Sequence, residues 1–132
     1  MRSYLQFQNE IQQLAFQKGA LDTYTIVSIS DSKGIVTYTS AKFEQLCQYS
    51  KEELLGQDHH LLSADFHSDA FFQEMWRKIA SGEVWEGQIQ NKARDGSCYW
   101  VSTIIVPDMN EQGIPEQYIA IHTDITDIKA LE

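Results

Sequence analysis

The chain has 132 residues, a length that suits one domain, and 42% of them are hydrophobic, enough for a packed core and too many for a disordered tail. Nineteen acidic residues against ten basic give a formal charge of −9, and no run of Lys and Arg offers a phosphate-binding surface, which argues against nucleic acid and anionic membrane as partners. Cys47 and Cys98 form no CxxC pair, so a reduced, cytoplasmic protein is expected, and the N-terminus lacks the apolar run of a signal peptide or membrane span.

Residues 4–18 place Tyr4, Phe7, Ile11, Leu14 and Ala15 at helical spacing, with Gly19 ending the run. This amphipathic N-terminal helix, within residues 1–20, is expected to mediate homodimerisation. "TYTIVSIS" and "GIVTYTS" then read as a hairpin around Asp31-Ser32-Lys33-Gly34. Short helices follow. One is capped by Ser40, with Phe43, Leu46 and Cys47 on one face; the next runs from Ser50 with Glu53 three residues on and Gly56 as its stop. "SDAFFQEMWRKIASG" is the clearest helix, with Ser68 as cap and Phe72, Met75, Trp76, Ile79 and Ala80 as its buried stripe.

Residues 83–107 read as a second hairpin, and Asn110 to Gly113 as the turn before a last strand. In that strand Tyr118, Ala120 and His122 share one face, and Ile119 and Ile121 the other. The order helix, two strands, several helices, three strands gives an α+β domain with an antiparallel sheet.

Asn91 is out of place in the hairpin. Alternation puts it on the same face as Trp85, Gly87 and Ile89. A two-residue turn at Asp95-Gly96 would set Trp100, Ser102 and Ile104 on its face. A three-residue loop with Gly96 left-handed would set Tyr99, Val101, Thr103 and Ile105 there, and this is the arrangement expected. A buried amide without partners costs roughly 1–3 kcal/mol, so Asn91 must find some. Its two donors and one acceptor match the edge of a planar heterocycle.

These segments together resemble the PAS family over roughly residues 20 to 128. "SDSKGIVTYTSAKFEQLCQYSKEELLG" matches the family's opening pattern, "WEGQIQNKARDGSCYWV" its Trp-x-Gly-x-x-x-Asn hairpin, and "GIPEQYIAIHTDIT" its final strand with the Asp-Ile-Thr ending at Asp124 to Thr126. Two positions depart: Ser40 replaces the usual Asn, and Gln48 the usual Gly. The resemblance implies a PAS fold, a five-stranded antiparallel sheet with helices on one face and an N-terminal helix flanking it. It implies a PAS sensory domain at residues 21–126, with residues 127–132 starting an output helix toward an effector such as a kinase, cyclase or chemotaxis module of a larger signalling protein.

The hairpin is closest to flavin-binding redox-sensing PAS domains, which implies FAD as cofactor. Asn91 and Trp85 would touch the flavin, His59 would lie beside the ring, and His122 near its polar edge, where it could change its hydrogen bonds or charge. Ser40, near the pocket mouth, and Trp76 complete the candidate set. The photo-adduct chemistry of light-sensing LOV relatives is not expected, because His59 stands where they carry a cysteine, His122 where they carry a Gln, and Val101 where they carry a second Asn. Haem ranks below flavin, since no His lies inside the helix bearing Phe72 and Trp76. His59, His60 and His67 lack a recognised metal spacing, and no catalytic motif is present, so neither a metal site nor an enzyme is expected. The alternatives are a cofactor-free dimerisation or interaction module and a pocket for an unidentified metabolite.

Overall fold

A computed structural model of the chain describes Gly19 and residues 22–132. The expected helix over 4–18 and the assignment of 1–20 to dimerisation lie outside the described residues, Gly19 apart.

Strands β1 (Ile26–Asp31) and β2 (Val36–Thr39) form the first hairpin. Helix α1 (Ala41–Cys47) starts where Ser40 accepts the Phe43 N–H, and α2 (Lys51–Leu54) starts with a complete capping box between Ser50 and Glu53. A 3₁₀ turn follows at His59–Leu62, then α3 (Asp69–Ala80), whose cap is Ser68. Strands β3 (Trp85–Lys92), β4 (Cys98–Met109) and β5 (Pro115–Asp124) lead to a short α4 (Thr126–Ala130).

The strands make one sheet in the order β2-β1-β5-β4-β3, every pair antiparallel. Helices α1 to α3 cover one face. Phe43, Cys47, Leu54, Leu62, Met75 and Ile79 pack against Trp85, Ile89, Tyr99, Val101, Ile105, Tyr118 and Ala120 of the sheet. This is the expected α+β architecture. In the expected stripe of α3, Met75 and Ile79 are buried and Phe72 and Trp76 half-buried, but Ala80 is exposed. It sits at the last position of α3, before the helix ends at Ser81 and Gly82.

The β3–β4 turn takes the three-residue form. Ala93 donates to Ser97 and Gly96 to Ala93, with Gly96 left-handed at φ +89°. Asn91 is therefore opposite Tyr99, Ile89 opposite Val101 and Trp85 opposite Ile105.

The departure at Gln48 has a local cost. It caps α1 in the left-handed region at φ +67°, where glycine is favoured, and its Oε1 accepts the Asp95 N–H at 3.2 Å. Gln48→Gly and Gln48→Ala both lose that hydrogen bond and differ in backbone strain. The glycine variant is expected to be more stable by about 1 kcal/mol, read by chemical denaturation of the pair.

Candidate functional site

Between the helices and the sheet lies a cavity of about 690 Å³, within the ~300–1,000 Å³ range of small-molecule sites. Its sheet wall carries Ser28 and Ser30 of β1, Ile89 and Asn91 of β3, Thr103 and Ile105 of β4, and Tyr118, Ala120 and His122 of β5. Its helical wall carries Phe43, Leu62, Phe72, Met75, Trp76 and Ile79. Lys33, Arg77, Asp58, His60, Asp65 and Asp69 also line it, so the charged part of the wall carries both signs.

Strand parity puts the polar groups inside. Asn91 is half-buried and stands directly across from Tyr99 on β4. Burial raises the Tyr99 hydroxyl well above its usual range, and the neighbouring Asn91 carboxamide partly opposes this.

His122 lies at the centre of the sheet, opposite Ile26 on β1 and Thr103 on β4. Its Nε2 meets Ser28 Oγ at 3.3 Å and its Nδ1 meets Thr103 Oγ1 at 2.9 Å. The Phe43 ring stands 5.5 Å away, centroid to centroid. Burial, with a smaller contribution from His59, lowers its pKa to about 3. His122 is therefore a neutral imidazole at neutral pH. Of the two responses expected of it, a change of hydrogen bonds or of charge, its two hydroxyl partners serve the first. His59 lines the cavity and is exposed, and desolvation by the protein around it lowers its pKa against the pull of Asp58.

Of the six residues expected at the site, the fold brings Asn91, His59, His122 and Trp76 to one cavity. Ser40 and Trp85 do not line it. Ser40 is fully buried, and its Oγ donates to Thr25 O at 2.7 Å while accepting from Val27 N–H at 3.0 Å and Phe43 N–H at 3.3 Å. Its oxygen is thus consumed in joining β1 to α1. Trp85 folds back along its own strand. A Cβ at Gly87 would lie 2.5 Å from the indole, and Phe71 meets the ring edge-on at 5.7 Å. The Trp-x-Gly spacing is thereby explained by packing.

Sequence reasoning missed Ser28, Thr103 as a partner of His122, Phe43 and His67. The parity argument that singled out Asn91 would have found Ser28 and Ser30, which alternate with Val27 and Ile29. Cys47 is buried and Cys98 exposed, and neither lines the cavity.

The PAS domain family model matches residues 22–127, so the chain belongs to the PAS family. It is 36% identical over 106 residues to the nitrogen fixation regulatory protein of Klebsiella pneumoniae, covering 80% of this chain and 21% of that protein. It is 33% identical over 106 residues to the aerotaxis receptor of Escherichia coli K12, with the same coverage of 80% and 21%. The chain thus spans about a fifth of the length of these curated relatives. Among solved structures, an RNA-binding light-oxygen-voltage receptor shares the fold with a TM-score of 0.79 and 24% identity, over 87% of this chain and 33% of that one. Among the described residues no helix is long and apolar enough to cross a membrane.

Two outcomes follow from this geometry. Because folding lowers the His122 pKa, the unfolded chain binds its proton first, and stability contributed above pH ~6.5 is lost as pH falls toward the folded value. Between pH 7 and pH 5 this is about 2 kcal/mol, and His122→Gln should flatten the dependence by that amount in denaturation measured at both pH values. Gly87→Ala should lower stability by about 1–3 kcal/mol through overpacking against Trp85, read by the same method.

Proposed function

We propose that this chain is the sensory module of a signalling protein and holds FAD in the cavity, reporting a redox or oxygen-linked state. The observation that carries the reading is the inward Asn91 facing a space of about 690 Å³ whose wall also holds His59 and His122. The donor set suits the group. A carboxamide offers two donors and an acceptor to a heterocycle edge, while Phe43, Ile89, Ile105 and Trp76 supply apolar and aromatic wall for its faces. The hairpin's resemblance to flavin-binding redox-sensing PAS domains supports the same choice. When bound, FAD supplies reversible electron and proton uptake.

The chain's own residues would bind and orient the ring. Asn91 grips the polar edge. His122, held between Ser28 and Thr103, answers a change at that edge by exchanging hydrogen bonds while staying neutral. Next in chain order, Asp124 Oδ1 accepts from the Thr126 N–H and hydroxyl, which fixes the start of α4. In the wider reading, residues 1–20 form the homodimer contact in the cytoplasm and an effector follows α4.

One observation favours a second reading, a cofactor-free interaction module. Among the described residues, no buried side-chain nitrogen or oxygen lacks a hydrogen-bond partner.

Incubation with FAD, followed by gel filtration, separates the two. Flavin absorbance should travel with the protein, and Asn91→Ala should weaken binding by roughly 5- to 150-fold, the equivalent of losing hydrogen bonds worth ~1–3 kcal/mol. Folded wild-type protein that takes up no FAD would overturn the flavin reading and favour the module.

A further inference from the structure

Trp100 lies on the face of β4 opposite Val101 and Thr103, outside the cavity, and is the meeting point of two segments distant in sequence. From one side comes the C-terminus. The Trp100 N–H donates to Thr126 Oγ1 at 2.9 Å, and its carbonyl accepts the Ile125 N–H at 2.9 Å. Lys129 Nζ sits 4.5 Å from the Trp100 ring centroid and also donates to Gln88 Oε1 at 3.1 Å. From the other side comes residues 63–67, the link between the 3₁₀ turn and α3. Phe66 meets the Trp100 ring edge-on at 5.1 Å and His67 at 5.9 Å.

The same link is seated on β3. Ser63 bridges to Asn91, and His67 Nε2 accepts the Gln90 N–H at 3.0 Å. His67 and Ser63 also line the cavity, and the His67 ring stacks on Phe71 at 4.1 Å. Asp65 within the link is left-handed at φ +56°, which disfavours the seated form by about 1 kcal/mol. The seating therefore rests on contacts outside the link. The strand position that aims a carboxamide into the cavity is clasped by a segment whose far end touches the anchor of α4.

We propose that residues 63–67 form a latch on Asn91 and Gln90 whose seating is coupled, through Phe66 and Trp100, to the docking of α4. It deepens the sensory reading above, on which it rests only in taking the cavity's occupant as the stimulus. A ligand that shifts Asn91 or His67 would loosen or tighten the latch, and α4 would follow because both lean on one indole. Coupling of this kind must act in both directions.

The test is amide hydrogen exchange by NMR on the 132-residue chain without FAD, read at Gln90 for the latch and Ile125 for α4. The Ser40 amide, bonded to Val27 O at 2.9 Å, serves as the reference for global opening. Phe66 is 60% exposed, so Phe66→Ala cuts the link without emptying the core. Phe66→Ala and His67→Ala should each speed Ile125 exchange by roughly three- to tenfold with Ser40 unmoved. Thr126→Val, which removes the hydroxyl from Trp100, should speed Gln90 exchange in turn. Ile125 exchange that stays at the wild-type rate, or that rises only in step with Ser40, overturns the latch. The two proposals fail separately: coupling without FAD uptake refutes the flavin reading alone, and FAD uptake without coupling refutes the latch alone.

Discussion

The interior of this domain depends on the register of one hairpin. Residues 94–96 close the β3–β4 turn with Gly96 left-handed, and Asn91 therefore shares a face with Tyr99, Val101, Thr103 and Ile105. A slip of one residue would bring Trp100, Ser102 and Ile104 onto that face. The turn is also tied to the helices. Arg94 N–H donates to Cys47 O, Asp95 N–H to Gln48 Oε1, and the Arg94 guanidinium pairs with Glu53. Register and roof are thus fixed by the same few residues, which is why the carboxamide is held inside.

That register produces an unusual division of polarity. The covered face carries Ser28, Ser30, Asn91, Thr103 and His122, while the opposite face carries Ile104 and Ile121, both partly exposed. The imidazole at its centre has two partners. Ser28 and Thr103 hold its two nitrogens, and Tyr99 lies across from the Asn91 carboxamide. Hydroxyl groups can donate or accept, so the imidazole can be held in either tautomer without protonation. The centre of the hollow is ordered by these imidazole–hydroxyl bonds.

Much of this was legible in the sequence. The caps at Ser40, Ser50 and Ser68, the Gly96 loop and the alternation of β5 rest on local rules, and local rules fixed them. The family pattern supplied the order of the layers. What alternation could not supply was position across the sheet. It put Trp85 on the inner face, but the indole turns back over Gly87 and never reaches the void. Ser40 was counted among the cofactor contacts, near the pocket mouth or a helix end; it is the helix end, and its oxygen is used up by three backbone groups. His67 was passed over because it lies in an irregular link, where no period marks which way a side chain points. The charge state of His122 depends on its depth and on His59, and neither is written in its neighbours along the chain.

The cavity beneath α3 has an evolutionary corollary. Replacing Ser28, Thr103 or Asn91 with larger aliphatic side chains would add contacts and remove polar groups that need matching. Selection for heat resistance alone would therefore tend to close the chamber. Its persistence in a lineage would be a record that room inside was worth more than toughness.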